Sequence, residues 1–380
     1  MNAERDPFRE KRERTGIETM RAEGADMPLI LRLQDVRKTC KDWKTFSNDD
    51  PFMIVPHSEA NVRSVRQYPI ETDPPDHTDY RALVEPFFDR PNDPAYQADM
   101  RKLVDRTVKA AADSASVEIV RDFSLPLQSK SLARLLNVDE SEADLWISWG
   151  THVFKEGDGV SKGAELADYI RDKFEATKNS NGPDFFSALN RADFRGRKLT
   201  LEEKHGFANM AFAGGRDTVI HTVSSVIAYF AEHPDGLDFL RQDPARIVTA
   251  TEEFVRFVSP LTAIARKCPH GAKVLDAEVP PNGRVGLCWP SANRDAGAFA
   301  KPDEVVLDRS PNPHVGFGFG IHRCLGAPQA RLIIRTLLAS LCDQIQSIRL
   351  IEAVPEIETE SSFSRQVGYK RLHVAISLRS

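Results

Sequence analysis

Cys324 closes a glycine-spaced run, FGFGIHRCLG, at residues 317–326, and a helical pattern follows at once over 327–341. A thiolate just before a helix start faces unpaired backbone N–H groups and the positive end of the helix dipole. That setting lowers a cysteine pKa and favours the anion as a metal ligand. Gly318, Gly320 and Gly326 let the backbone turn tightly and approach a bulky, flat group closely. A lone cysteine is otherwise a buried structural residue, so the rest of the chain has to discriminate between the two.

Three other constellations have types and spacings suited to chemistry. In the middle of a helical stretch over 201–233, roughly nine turns long, stand Gly214, Gly215, Arg216, Asp217 and Thr218. Two glycines inside a helix cost ~1 kcal/mol each relative to alanine, which points to a close helix crossing or to a gap for a ligand. A carboxyl beside a hydroxyl can pass protons. Glu253 and Arg256, three apart in the helical segment 249–260, can pair on one face; Glu252 is a neighbouring acid with the wrong spacing. His77 and Arg81, four apart in 73–88, share one helix face, which on its own reads as a solvated polar face.

The elements that must position these residues are mostly helical. Residues 7–23 read as a polar helix, 28–33 as a short strand and 35–46 as a helix. A long loop over 47–76 carries Phe52, Met53 and Ile54, which either pack the loop down or face a ligand. Helices are expected at 73–88, 93–113 and 125–136, and two more within 140–178. Strands with turns fill 261–295, and 347–351 with 370–378 close a small sheet. The fold class is therefore mainly α with small β-sheets (α+β). No repeat or linker divides the chain, so residues 1–380 read as one domain.

Composition excludes several functions. The 380 residues carry a net charge of −5, against a nucleic-acid or polybasic membrane role. Five widely spaced cysteines without a CxxC indicate neither a disulfide framework nor a zinc site, and suit a reducing cytoplasm. The charged N-terminus lacks the apolar core of a signal peptide, and no run approaches 18 apolar residues.

The run 317–326 fills every fixed position of Phe-Gly-x-Gly-x-His-x-Cys-x-Gly, and in this it resembles the haem-binding loop of the cytochrome P450 superfamily. GGRDT at 214–218, Glu253-x-x-Arg256 and His77-x-x-x-Arg81 also match that family's segments in its own order, so the resemblance covers nearly the whole chain. It implies a soluble bacterial haem-thiolate monooxygenase with haem b between the long central helix and the cysteine loop. The resemblance makes Cys324 the axial ligand, with Phe317, Gly318, Gly326 and Gly214 around the cofactor. The N–H groups of Leu325 and Gly326 would bond the sulfur. His77, Arg81, Arg266 and His314 would meet the propionates. Asp217 would relay protons and Thr218 hold a hydrogen bond at the oxygen site. Glu253 and Arg256 would brace the loop before the cysteine, and the strand hairpin before 35–46 reads as cut down. Met210, Ala213, Leu261, Thr262 and Ile264 would face a small or medium substrate, apolar or ether-like, to be hydroxylated or oxidatively O-demethylated. O2 is the co-substrate. Electrons would come from an external ferredoxin and its reductase, docking near Arg323, Arg331 and Arg335. The protein would be a cytoplasmic monomer. Two alternatives are a peroxide-driven peroxygenase, disfavoured by the Asp217–Thr218 pair though Arg216 beside it is unusual, and a non-catalytic haem-binding sensor.

Overall fold

The computed structural model describes residues 6–22, 25–50, 65–150 and 158–379; Phe52, Met53 and Ile54 lie outside them. Local sequence accounts for several helix boundaries. Asp93 caps the helix Pro94–Ala112 by accepting from the N–H groups of Ala95 and Tyr96. The helix Leu201–Gly215 begins on a capping box: Thr200 Oγ accepts from Glu203 N at 3.1 Å, and Glu203 accepts from Thr200 N at 2.6 Å. Leu125–Leu136 ends on Asn137 in the left-handed conformation.

The N-terminal region departs from expectation. A one-and-a-half-turn helix, Arg9–Arg14, is followed by two paired strands, Ile17–Ala22 and Ala25–Ile30, where 7–23 reads as one polar helix. The hairpin is therefore present, and the first sheet is complete with it. It joins Gly283–Cys288 and Ala263–Cys268 in a four-stranded sheet. The C-terminal hairpin is longer than its apolar patches suggest: Ile345–Thr359 pairs antiparallel with Ser364–Leu378, and Val117–Glu118 adds a third strand.

The stretch 201–233 is two helices, Leu201–Gly215 and Asp217–Glu232, parted at Arg216 (φ −102°, ψ −82°). The Arg216 side chain explains the break. It is 2% exposed and donates to the carbonyls of Trp146 (2.7 Å) and Gly150, on the far side from the cavity described below. The Gly215 carbonyl, released from the helical ladder, accepts from Gln128 Nε2 at 3.0 Å. Burial pushes the Arg216 guanidinium down to about 10, against the pull of Asp217.

One hydrophobic cluster holds the two walls of the site. Ile220, Val223 and Ile227 of Asp217–Glu232 share it with Ile333, Leu337 and Leu341 of the helix Ala327–Gln344, which follows Cys324. Phe254, from Arg246–Val258, lies in the same cluster. The spacing of these apolar residues, three and four apart, is what turns each helix toward the common core.

Candidate active site

A cavity of about 520 Å³ opens between these elements. Its lining includes Cys324, Phe317, Gly318 and Gly326 from the cysteine loop, and Gly214, Asp217 and Thr218 from the broken helix. His77, Arg81 and Arg266 also line it, as do Met210, Ala213, Leu261, Thr262 and Ile264. Residues scattered over nearly 250 positions thus converge on one space.

The cysteine loop is a tight turn in which Cys324 N donates to the Phe317 carbonyl at 2.9 Å, with Gly318 at φ +69° and Gly320 at φ +76°. At Gly320 the demand is steric as well: a Cβ would lie 2.6 Å from the Cys40 carbonyl oxygen, so glycine there lets the helix Leu33–Lys41 close on the loop. At Gly326 a Cβ would meet only the Cys324 sulfur, at 3.8 Å. The thiol opens onto the cavity while lying deep in the protein, so it counts as exposed although it is sheltered from bulk water. Burial pushes its pKa up, and the N–H groups of Gly326 and Ala327 with the Arg81 and Arg331 charges oppose that rise. The sulfur's backbone partners are thus one residue further along than Leu325 and Gly326. The direction is opposite to the expected lowering, because desolvation outweighs the groups that favour the anion.

The cationic side of the cavity suits an anionic group. Arg266 is 4% exposed, and its only hydrogen bond among the described residues is to the carbonyl of Ala265, at 2.8 Å. His322 is buried, and among the described residues neither ring nitrogen has a hydrogen-bond partner; its Nε2 lies 3.9 Å from Asp73. The rings of His322 and His77 meet edge-on, 4.2 Å apart. Burial, the neighbouring ring and Arg81 hold His77 down at about 3, so it is neutral and can donate one N–H. Arg81 donates to the Arg323 carbonyl at 2.9 Å. A buried guanidinium without a carboxylate partner beside orphaned imidazole nitrogens is costly unless an anion completes it. The donors therefore fit the carboxylates of a haem whose iron Cys324 would hold.

His314 does not belong to this set. It lies outside the cavity lining, with its Nε2 3.0 Å from Glu252 and its Nδ1 accepting from Gly316 N at 3.1 Å. Glu252 also accepts from Arg331 at 2.7 and 2.8 Å. The acid set aside for its spacing thus ties the cysteine loop to the cysteine helix, and Arg331 is committed to it rather than free on the surface. Its neighbour Glu253 works on the other face. Glu253 and Arg256 are 0% exposed and form two hydrogen bonds, at 2.7 and 2.8 Å. Glu253 also accepts from Arg309 Nε and Val306 N, each at 2.8 Å, and Arg256 donates to the carbonyls of Asn293, Pro302 and Glu304. The segment leading to the cysteine is pinned at both ends.

Across the cavity, Thr218 Oγ donates to the Gly214 carbonyl at 3.0 Å. Gly215 has no protein atom closer than 3.8 Å to a built Cβ, and Gly214 only the flexible tip of Met210 at 2.9 Å. These glycines leave space rather than permit a helix crossing. The substrate side is less apolar than the sequence suggests: Glu356, Glu358 and Glu360, from the long hairpin, also line the cavity. His322 stands at a fixed motif position, and the alternation in EIETE over 356–360 is a strand signal with an acidic face; both were available signals.

The profile of the family described as Cytochrome P450 matches residues 145–344. Cytochrome P450 109 of Bacillus spizizenii is 29% identical over 355 residues, 89% of this chain and 87% of its own. The monooxygenase PikC of Streptomyces venezuelae is 29% identical, over 86% of this chain and 80% of its own. A solved structure described as that of a carbohydrate active P450 is 43% identical and superposes with a TM-score of 0.95 over 98% of both chains.

Proposed function

The chain belongs to the cytochrome P450 family, oxidoreductases that carry haem b, and on that premise we propose that it inserts one oxygen atom from O2 into a small carbohydrate-type molecule, by hydroxylation or oxidative O-demethylation. Haem, when bound, supplies activation of dioxygen and transfer of one oxygen atom, with a thiolate ligand favouring O–O cleavage. The observation that carries the reading is a single cavity lined by the Cys324 sulfur and by the Asp217–Thr218 pair. Cys324 would hold the metal, and Arg266, His322, His77 and Arg81 would neutralise and orient the cofactor carboxylates. Asp217 and Thr218 would hand protons inward, while Gly214 and Gly215 keep room beside them. The carbohydrate assignment is supported by the description of the 43% identical structure and by the carboxylates in the cavity wall.

Two electrons would arrive from an external ferredoxin and its reductase, docking around exposed Arg323. Five free cysteines support a reducing, cytoplasmic setting. Arg216 turns away from the cavity, which speaks against a peroxide-driven reaction relying on an arginine at the oxygen site.

The test is a carbon monoxide difference spectrum of the reduced, haem-loaded protein, followed by turnover of O-methylated pyranosides with ferredoxin, reductase and O2. A thiolate-type band that Cys324→Ala abolishes is expected; a haem-loaded wild type lacking it would overturn the reading. Formaldehyde release marks demethylation, and an oxygenated product without formaldehyde marks hydroxylation.

A further inference from the structure

One side of the cavity is built from the loop after Arg246–Val258 and the end of the strand Ile345–Thr359. That strand runs against the usual pattern. A strand packed on a protein interior turns its apolar residues inward, but here Ile351 and Ile357 are 49% and 40% exposed, and Glu356, Glu358 and Glu360 line the cavity together with Ile357 and Thr359. Three carboxylates therefore stand close together in this part of the wall. Glu356 and Glu360 are engaged by other groups of the protein.

Glu358 is held differently. Arg365, 1% exposed, donates from Nη1 to Thr262 Oγ at 2.9 Å and from Nη2 to the Ser259 carbonyl at 3.0 Å. Thr262, 4% exposed, passes its own hydroxyl proton to a hydrogen bond with Glu358 Oε2. The relay is therefore directional: guanidinium to hydroxyl to carboxylate. It pins one oxygen of Glu358 and sets a compensating positive charge one residue behind it. Among the described residues the other oxygen, Oε1, has no hydrogen-bond or ion-pair partner, although the side chain is half-buried in the cavity wall. A carboxylate accepts up to about four hydrogen bonds, and a fixed, partly desolvated acceptor makes strong charge-assisted bonds to hydroxyl donors. With its charge compensated through Thr262, it suits a neutral hydroxyl better than an ammonium group.

We propose that Glu358, fixed by the Arg365–Thr262 relay, is the group that recognises hydroxyls of the substrate, and that it selects neutral polyhydroxylated rings over apolar compounds of the same size. This rests on the monooxygenase reading above and names the residue that sets its substrate class. The hydroxyl of Thr262 is then a positioning group, and the substrate contact is Glu358 itself.

The experiment is a spin-state titration of the haem-loaded protein with methyl hexopyranosides, their singly deoxygenated counterparts and an amino-deoxy pyranoside, in wild type, Glu358→Gln and Glu358→Leu. Imidazole binding and the carbon monoxide band serve as controls for an intact haem site. At least one pyranoside is expected to shift the wild type, with Glu358→Leu weakening it tenfold or more and Glu358→Gln less, the controls unchanged. One deoxy analogue is expected to lose affinity in wild type and to lose nothing further in Glu358→Leu, which identifies the hydroxyl held. Independent losses from deoxygenation and mutation would overturn the proposal. So would a variant that loses only the amino sugar, which marks a cation site. So would a wild type with the thiolate band intact that responds to no pyranoside; that result leaves the monooxygenase reading standing, whereas absence of the band in wild type strikes that reading instead. Should Glu358→Leu fail to take up haem, the isosteric Glu358→Gln carries the test.

Discussion

At the scale of single residues, the Asp217–Thr218 pair sits at the start of a helix made by a break. Thr218 rests its hydroxyl on the Gly214 carbonyl, so that hydroxyl is held toward the notch left by the two glycines. A general acid or relay contributes typically about 10²–10⁴-fold. Asp217→Asn is therefore expected to lower the rate of product formation on the order of 10²-fold while leaving the spin-state titration of substrate unchanged; single-turnover kinetics beside the titration separates the two. Equal losses in binding and rate would mean that Asp217 shapes the cavity rather than moves protons. His314 and His322 show how little residue type decides alone. Both are histidines of the cysteine segment, eight positions apart; one is spent on Glu252, and the other faces the cavity.

At the scale of elements, Arg246–Val258 is a clamp with two jaws. Glu253 locks the segment 306–312 through Val306, Arg309 and Asn312, and Glu252 locks the cysteine loop to the cysteine helix. Glu253→Ala strands Arg256 and Arg309 in the interior, and breaking one partner out of such a buried set costs about 3–5 kcal/mol. Urea unfolding should register that loss, together with poor haem retention. Glu252 carries a pH dependence. Burial would raise its pKa, but His314 and Arg331 outweigh burial and hold it at about 2, below its ordinary 4.5. A depressed carboxylate stabilises the fold above its unfolded pKa and loses that contribution as pH falls through the folded value. The stability gained from Glu252 is thus complete above about pH 4.5 and gone near pH 2, on the order of 2 kcal/mol. Glu252→Gln should flatten the pH dependence of the urea midpoint between those limits; an unchanged slope would show that the ion pair is silent.

For the whole molecule, the site exists because one hydrophobic cluster sets the helix Asp217–Glu232 and the helix Ala327–Gln344 as opposite walls of one space. Much of this was legible beforehand. Capping residues, 3.6-residue periodicity and glycine-spaced turns are local, and they place most helices within a few residues of where they stand. The cysteine loop, Asp217–Thr218 and Glu253–Arg256 were legible for the same reason, each being a constellation spanning no more than ten positions. The break at Arg216 was not, because it depends on carbonyls 66 and 70 residues away. The first strand of the N-terminal hairpin read as helix because its local pattern is polar, and pairing with the second strand, itself held by Gly283–Cys288, decides it.

What the chain's order of residues determined by itself is the chemistry: a cysteine before a helix, an acid beside an alcohol, an acid–base pair on one helix face. Each follows from short-range geometry that any helix or turn imposes. Only the tertiary structure decided which groups serve it. It turned His322 to the cavity and His314 to Glu252, gave Glu252 as well as Glu253 ionic partners, and brought Glu358 to Thr262 across 96 positions. Such choices turn on burial and charge partners contributed by distant segments, and no local spacing encodes them.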